Sequence, residues 1–218
     1  MNRGRAASRA SSVMAATLLA TGGCAVTLPV RTIPAGETRV VGSLAEPLAS
    51  HLPSFGVPYI TAGILHGTTD ATTISADLHA LLVATGVVGV DLGLAHRLGH
   101  QHGVVPELTA EAQVGLFYGA GGGRAFPATT VTASWNAGAH ALVYTGANLT
   151  AQLVGAPTLF VSPSLGVQRD FGRRWVGQLE WRILGANVDT ESGLLEGTAS
   201  FAGHGGMVLQ LGAQWRTH

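Results

Sequence analysis

The sequence predicts an all-β fold: a closed antiparallel up-and-down transmembrane β-barrel of about ten strands. Three observations predict it. The first is alternation. Over residues 174–183, Trp175, Leu179, Trp181 and Ile183 share one strand face, and Gln178, Glu180 and Arg182 share the other, because successive side chains of a strand point to opposite faces. The second is composition. The 218 residues are 46% hydrophobic and only 11% charged, with a mean hydropathy of +0.32, whereas an ordinary soluble domain is about a quarter charged. The third is the lack of any apolar run of about 18 residues, the length a membrane helix needs. The nearest stretch, 80–90, carries Gly86 and Gly89 and runs into Asp91. A barrel reconciles the last two observations by spreading its apolar surface over alternate positions.

Each strand is justified by the same period of two. Over 38–45, Val40, Gly42 and Leu44 oppose Arg39, Val41 and Ser43. A weaker segment, 57–66, places Ile60, Ala62 and Ile64 together. Over 72–83, Ile74, Leu78 and Leu82 oppose Thr73, Ser75, Asp77 and His79; over 87–96, Val88, Val90, Leu92 and Leu94 oppose Gly89, Asp91 and Gly93. Over 106–117, Leu108 to Leu116 at even positions oppose Glu107, Thr109, Glu111 and Gln113. The segments 129–136, 141–152 and 159–169 repeat the pattern, with Val131, Val143 and Leu165 set against Thr130, Asn148 and Gln168. After the 174–183 strand and a long polar segment, 185–205, the last strand sets Leu209, Leu211 and Trp215 against Gln210, Gln214 and Arg216.

Ten strands satisfy the even count of single-chain bacterial barrels; eight or twelve also fit the pattern. With the N-terminus on the periplasmic side, the joins at 67–70, 136–140 and 170–173 are the short inner turns. The segments 119–124 and 185–205 are then outer loops. The join at 84–86 is short for an outer loop, and 98–105 is long for an inner one. Tyr59, Phe117, Tyr118, Trp175, Trp181 and Trp215 fall where aromatic girdles are expected.

The polar face is Gln, Ser, Thr, Asn and Gly with a few charges, and no lysine; all twelve basic residues are Arg. A soluble barrel would carry its polar face outward, with many Lys and Glu. This face suits an enclosed interior of hydrogen bonds and ion pairs. In lipid every backbone group must be satisfied internally, which a closed barrel achieves.

The N-terminus reads as a targeting segment. Arg3, Arg5 and Arg9 precede a short apolar core, then Thr21-Gly22-Gly23-Cys24. This resembles the lipobox of bacterial lipoproteins, in which the cysteine becomes the lipidated first residue, although Thr21 stands where Leu is usual. The resemblance implies a covalent lipid on Cys24 as the only attached group. It also implies an encounter with lipoprotein sorting machinery, and outer-membrane delivery because Ala25 rather than Asp follows. An ordinary signal peptide cut near here is the alternative. The expected organisation is signal peptide 1–23, periplasmic leader 24–36 and barrel 37–218. The single cysteine excludes an internal disulfide. The mature chain, with 9 Arg against 12 Asp and Glu, has a net charge near −3, which argues against a nucleic-acid partner. The terminal strand bearing Trp215 resembles the signal read by the barrel assembly machinery, with Arg216, Thr217 and His218 following.

Longer motifs add to this. Cys24-Ala25-Val26 is followed by Arg31-Thr32-Ile33-Pro34-Ala35-Gly36-Glu37, and His66-Gly67-Thr68-Thr69-Asp70 leads to Asp91-Leu92-Gly93-Leu94. In these the chain resembles a family of small bacterial outer-membrane barrels that open with a lipobox and an Arg-Thr-(Leu/Ile)-Pro-x-Gly leader. The resemblance covers most of the mature chain. It implies a barrel in the outer membrane, surrounded by its lipid, and no catalytic residue.

The candidate lumen residues are Arg39, Asp77, His79, Asp91, Glu107, Glu111, Gln178, Glu180, Arg182, Gln210 and Arg216. Arginines gather on the first and last strands and acids on the third to fifth. That asymmetry suits a pore lining, a binding cleft, or ion pairs filling a narrow barrel. His96, His100 and His102 form His-x3-His-x-His beside Gly99 and Gly103, a candidate metal site, or a solvated turn, since no nearby Cys or carboxylate completes four ligands. Ser75, Asp77 and His79 share a face but are spaced about 7 Å apart along one strand, too far for a hydrogen-bonded relay. The expectation is therefore a non-enzymatic outer-membrane barrel with a structural, narrow-pore or small-ligand-binding role. The alternatives are a barrel enzyme modifying envelope lipid and a soluble periplasmic ligand-binding barrel lipoprotein.

Overall fold

The computed structural model describes residues 29–48, 59–120, 122–153, 158–189 and 199–217. The signal segment and Cys24 lie outside these residues. Ten antiparallel strands form one closed sheet. They are β1 (Thr38–Pro47), β2 (Tyr59–Thr69), β3 (Thr72–His79), β4 (Val88–Gly99) and β5 (Glu107–Gly119), then β6 (Gly122–Asn136), β7 (Ala141–Gln152), β8 (Thr158–Phe171), β9 (Trp175–Asp189) and β10 (His204–Arg216). Each strand pairs with its sequence neighbours, and β1 closes on β10 through the register Arg39↔Arg216 to Pro47↔Val208. Closure leaves no unpaired edge.

Burial is inside out. Ile64, Leu94 and Leu211 are exposed at 50, 49 and 52%, while Asp77, Asp91 and Arg182 are exposed at 2, 1 and 3%. The apolar face of every strand points outward and the polar face is enclosed. So continuous an apolar exterior does not persist in water; its solvent is the acyl chain. The barrel therefore spans a membrane, and the soluble periplasmic alternative is overturned by which face is buried. Single-chain barrels of even strand number are those of the bacterial outer membrane, and that is this protein's address. No described helix is long and apolar enough to cross a membrane.

Three sequence expectations are corrected. The third strand stops at His79, four residues early, and Ala80–Val83 forms one helical turn, α1, with Leu82 buried. Ala and Leu are strong helix formers, and Gly86 reverses the chain behind them at φ 78°. The Gly-rich segment 119–124 is mostly ladder: Phe117 pairs with Arg124 and Gly119 with Gly122. Pairing partners outweigh the weak strand propensity of glycine here. Finally, Tyr59 and Phe117 are buried. They share the inward parity of Thr61 and Glu111, so they pack in the lumen and belong to no girdle, whereas Tyr118 and Trp175 are exposed.

At the end where β1 begins and β10 finishes, β2 turns into β3 at residues 70–71 and β8 into β9 at 172–174. The longer 100–106 join there is cinched by paired hydrogen bonds between His102 and Val105. The opposite end carries the longest connection, between β9 and β10. Short turns mark the periplasmic side.

Candidate functional site in the barrel lumen

Inward-facing side chains build two unlike walls. On β3–β5, Asp77 and Asp91 stand directly opposite in register. His79 Nε2 donates to Asp91 Oδ2, and the imidazole packs against Phe117 at 5.0 Å between centroids. Phe117 in turn meets Phe126 edge-on at 5.7 Å. Glycines on adjoining strands clear the room. A Cβ at Gly115 would lie 2.7 Å from Asp91 Oδ1, and one at Gly93 2.6 Å from Glu111 Oε1. Gly63 clears the same space for Asp77. The carboxylates thus lie flat over neighbouring backbone. Both oxygens of Asp77, Oδ1 of Asp91 and Oε1 of Glu111 are buried with no hydrogen-bond partner.

The facing wall, on β7–β9, is tied together. Tyr144 donates to Glu180 Oε2 at 2.9 Å, Gln178 Nε2 donates to the Tyr144 hydroxyl at 2.8 Å, and Arg182 Nε donates to Glu180 Oε1 at 2.8 Å. Arg182 Nη2 reaches the same oxygen at 2.6 Å. Tyr144 lies across Gly166, where any Cβ would collide with its ring. Above it Asn148 Nδ2 donates to Thr130 Oγ1 at 2.9 Å. Between these groups and Val30 remains a cavity of about 10 Å³, room for about one water.

The periplasmic mouth is closed by the chain's own leader. Val30 and Ile33 are buried, and the Ile33 amide donates to Thr73 Oγ1 at 2.9 Å. Arg31 donates to Ser134 Oγ at 2.8 Å, Asn136 Oδ1 at 2.8 Å and Gln101 Oε1 at 3.0 Å, and lies 3.6 Å from Glu107. The Ala35 amide caps onto Asp70 Oδ1 at 3.0 Å. Gly67 admits this segment, since a Cβ there would collide with the carbonyl of Pro34.

Each candidate residue has a definite place. Arg39, Asp77, His79, Asp91, Glu107, Glu111, Gln178, Glu180, Arg182 and Gln210 are buried. Arg39 donates to Gln214 Oε1 at 2.9 Å and to Glu37 at 2.7 Å. Arg216 is half-buried at the rim, bonded to Asp170 at 2.6 Å. The histidine motif does not converge. His96 is exposed and its Nδ1 lies 3.0 Å from Thr72 Oγ1, while His100 and His102 are exposed on the following turn. Among the described residues no three His, Cys, Asp or Glu side chains gather to hold a metal. A period-two strand and a loop separate these histidines where a shared face was needed. Ser75 sits with Glu111 over Gly93, away from His79, so the serine, aspartate and histidine of β3 form no relay.

Sequence reasoning missed the leader, and it placed Tyr144 on the polar face of its strand without making it a candidate site residue. Two apolar residues flanking Arg31 in a nominally polar tether were the available signal for the first. For the second it was the parity that Tyr144 shares with Asn148.

No protein-family model matches the chain, and no curated protein matches it. Among solved structures it is similar to the translocator domain of the autotransporter NalP from Neisseria meningitidis, at 13% identity over 97% of this chain and 98% of that one, with a TM-score of 0.49. It is also similar to the KdgM porin in complex with disordered oligogalacturonate (9% identity, 83% and 99% covered, TM-score 0.41). A third similar structure is the outer membrane protein OprG from Pseudomonas aeruginosa (10% identity, 86% and 98% covered, TM-score 0.32).

Proposed function

We propose that the protein is a non-enzymatic, narrow conduit of the outer membrane, closed at rest, whose interior suits small cationic solutes. The observation that carries this reading is the acid wall. Asp77 offers two buried carboxylate oxygens with no hydrogen-bond partner, and Asp91 and Glu111 one each, while Arg182 across the lumen is bonded to Glu180. Burying a carboxylate without a partner is costly, and a passing cation supplies the partner. The leader holds the conduit shut through Arg31, and its withdrawal would open the mouth. A lipid on Cys24, just ahead of this segment, would tether the plug near its seat, following action of the lipoprotein sorting and barrel assembly machineries.

Planar-bilayer recording tests this. The wild type is expected to be nearly silent. Arg31→Ala is expected to give brief, small openings with cation preference, and Asp77→Asn with Glu111→Gln in that background is expected to abolish the preference. A large steady conductance in the wild type, or anion preference in Arg31→Ala, would overturn the proposal. A second reading, an enzyme modifying envelope lipid, is favoured by the buried His79–Asp91 pair. Loss of lipid A modification in cells carrying His79→Ala would support it over a conduit.

A further inference from the structure

The outer face of the barrel is largely apolar, and the periplasmic end of β8–β10 is among the places where it is indented. There a groove of about 350 Å³ is lined by Val167, Arg169, Phe171, Leu179 and Leu211, with Gly177 in its floor. Its volume is in the range of about 300–1,000 Å³ common to small-ligand sites. Gly177 seats the Phe171 ring, since a Cβ there would lie 2.7 Å from it, and the ring forms one side of the groove. Arg169 stands on the lipid-facing side two positions before the end of β8, its guanidinium 5.8 Å from the Phe171 ring centre. Among the described residues no carboxylate pairs with it. The β8–β9 turn adds Arg173 and Arg174 at the same level, and Asp170 is already taken by Arg216.

An unpaired arginine facing acyl chains is tolerated only close to the interface, where its head can reach phosphate. We infer that this groove is a binding site for one phospholipid with an anionic headgroup, drawn from the inner leaflet of the outer membrane. Its phosphate would accept hydrogen bonds from Arg169, with Arg173 and Arg174 drawing the negative headgroup. One acyl chain would lie along Val167, Leu179 and Leu211, beside the Phe171 ring. The commitment to phospholipid rather than lipopolysaccharide follows from position: the arginines are on the side of the short turns, where β1 begins and β10 finishes.

The test is lipid retention. The full chain is reconstituted in vesicles of phosphatidylethanolamine with a minor fraction of phosphatidylglycerol, extracted in mild detergent and analysed by native mass spectrometry. The wild type is expected to keep phosphatidylglycerol well above its share of the vesicle. Arg169→Gln with Arg174→Gln is expected to weaken retention about tenfold. Gly177→Val, whose side chain pushes the Phe171 ring off its seat and reshapes the groove while keeping every charge, is expected to do the same. Heat-modifiability of each variant on a gel reports that the barrel has closed. Retention in proportion to vesicle composition, or equal retention by closed variants, would overturn the proposal. Displacement of phosphatidylglycerol from this groove by added lipopolysaccharide would overturn the choice of leaflet.

Discussion

Arg182 and Glu180 show what a single side chain does in this interior. Both are almost wholly enclosed, and they form an ion pair. Removing one partner of a buried pair strands the other and costs roughly 3–5 kcal/mol. Arg182→Met is therefore expected to lower the urea midpoint of the micelle-folded barrel strongly. Arg182→Met with Glu180→Leu is expected to recover most of that loss, because an apolar pair of similar volume needs no solvation. Equal midpoints for the two would show that Glu180 does not depend on Arg182. The pair was legible in the sequence as two polar residues on one strand face. The glycine slots that seat Asp91, Glu111 and Tyr144 were not. They depend on which residue lies across the ladder, and register is set by closure of the whole sheet.

At the scale of the strand, alternation decides which face meets lipid, so position along a strand sets the cost of a charge. Leu92 lies within β4 on the outer face, whereas Leu98 lies beside its periplasmic end. Leu92→Arg is expected to cost about 2–4 kcal/mol and Leu98→Arg no more than about 1 kcal/mol, read from equilibrium folding into vesicles. A reversed order would place the bilayer elsewhere on the barrel. All ten strands were legible, since a period of two survives in any register. What failed were features that break the period. The helical turn after His79 continues the apolar spacing of β3 through Leu82, so alternation alone cannot see the strand end. The leader's Val30 and Ile33 are too few to carry any period, and their burial comes from entering a mouth that the strands build.

For the whole molecule, the inside-out distribution makes the bilayer part of the fold. Cys24→Ala is expected to leave the protein in the membrane after carbonate washing, with a faster unboiled band on a gel, because the apolar exterior holds it there whether or not a lipid is attached. Release of this variant, with no shift on heating, would mean that the exterior does not face lipid. The lumen is just as dependent on the complete molecule, since its acids come from β3–β5 and its bonded wall from β7–β9.

The pairing of Arg39 with Arg216, reinforced where Thr217 donates to the Thr38 carbonyl at 2.8 Å, joins nearly the first strand residue to the last. Neither strand edge can be hidden until translation has supplied the other. A message cut short before codon 204 would therefore yield no smaller barrel, only a ribbon with two raw edges. Those edges bind other strands indiscriminately, so quality control must recognise the product by what it has failed to close.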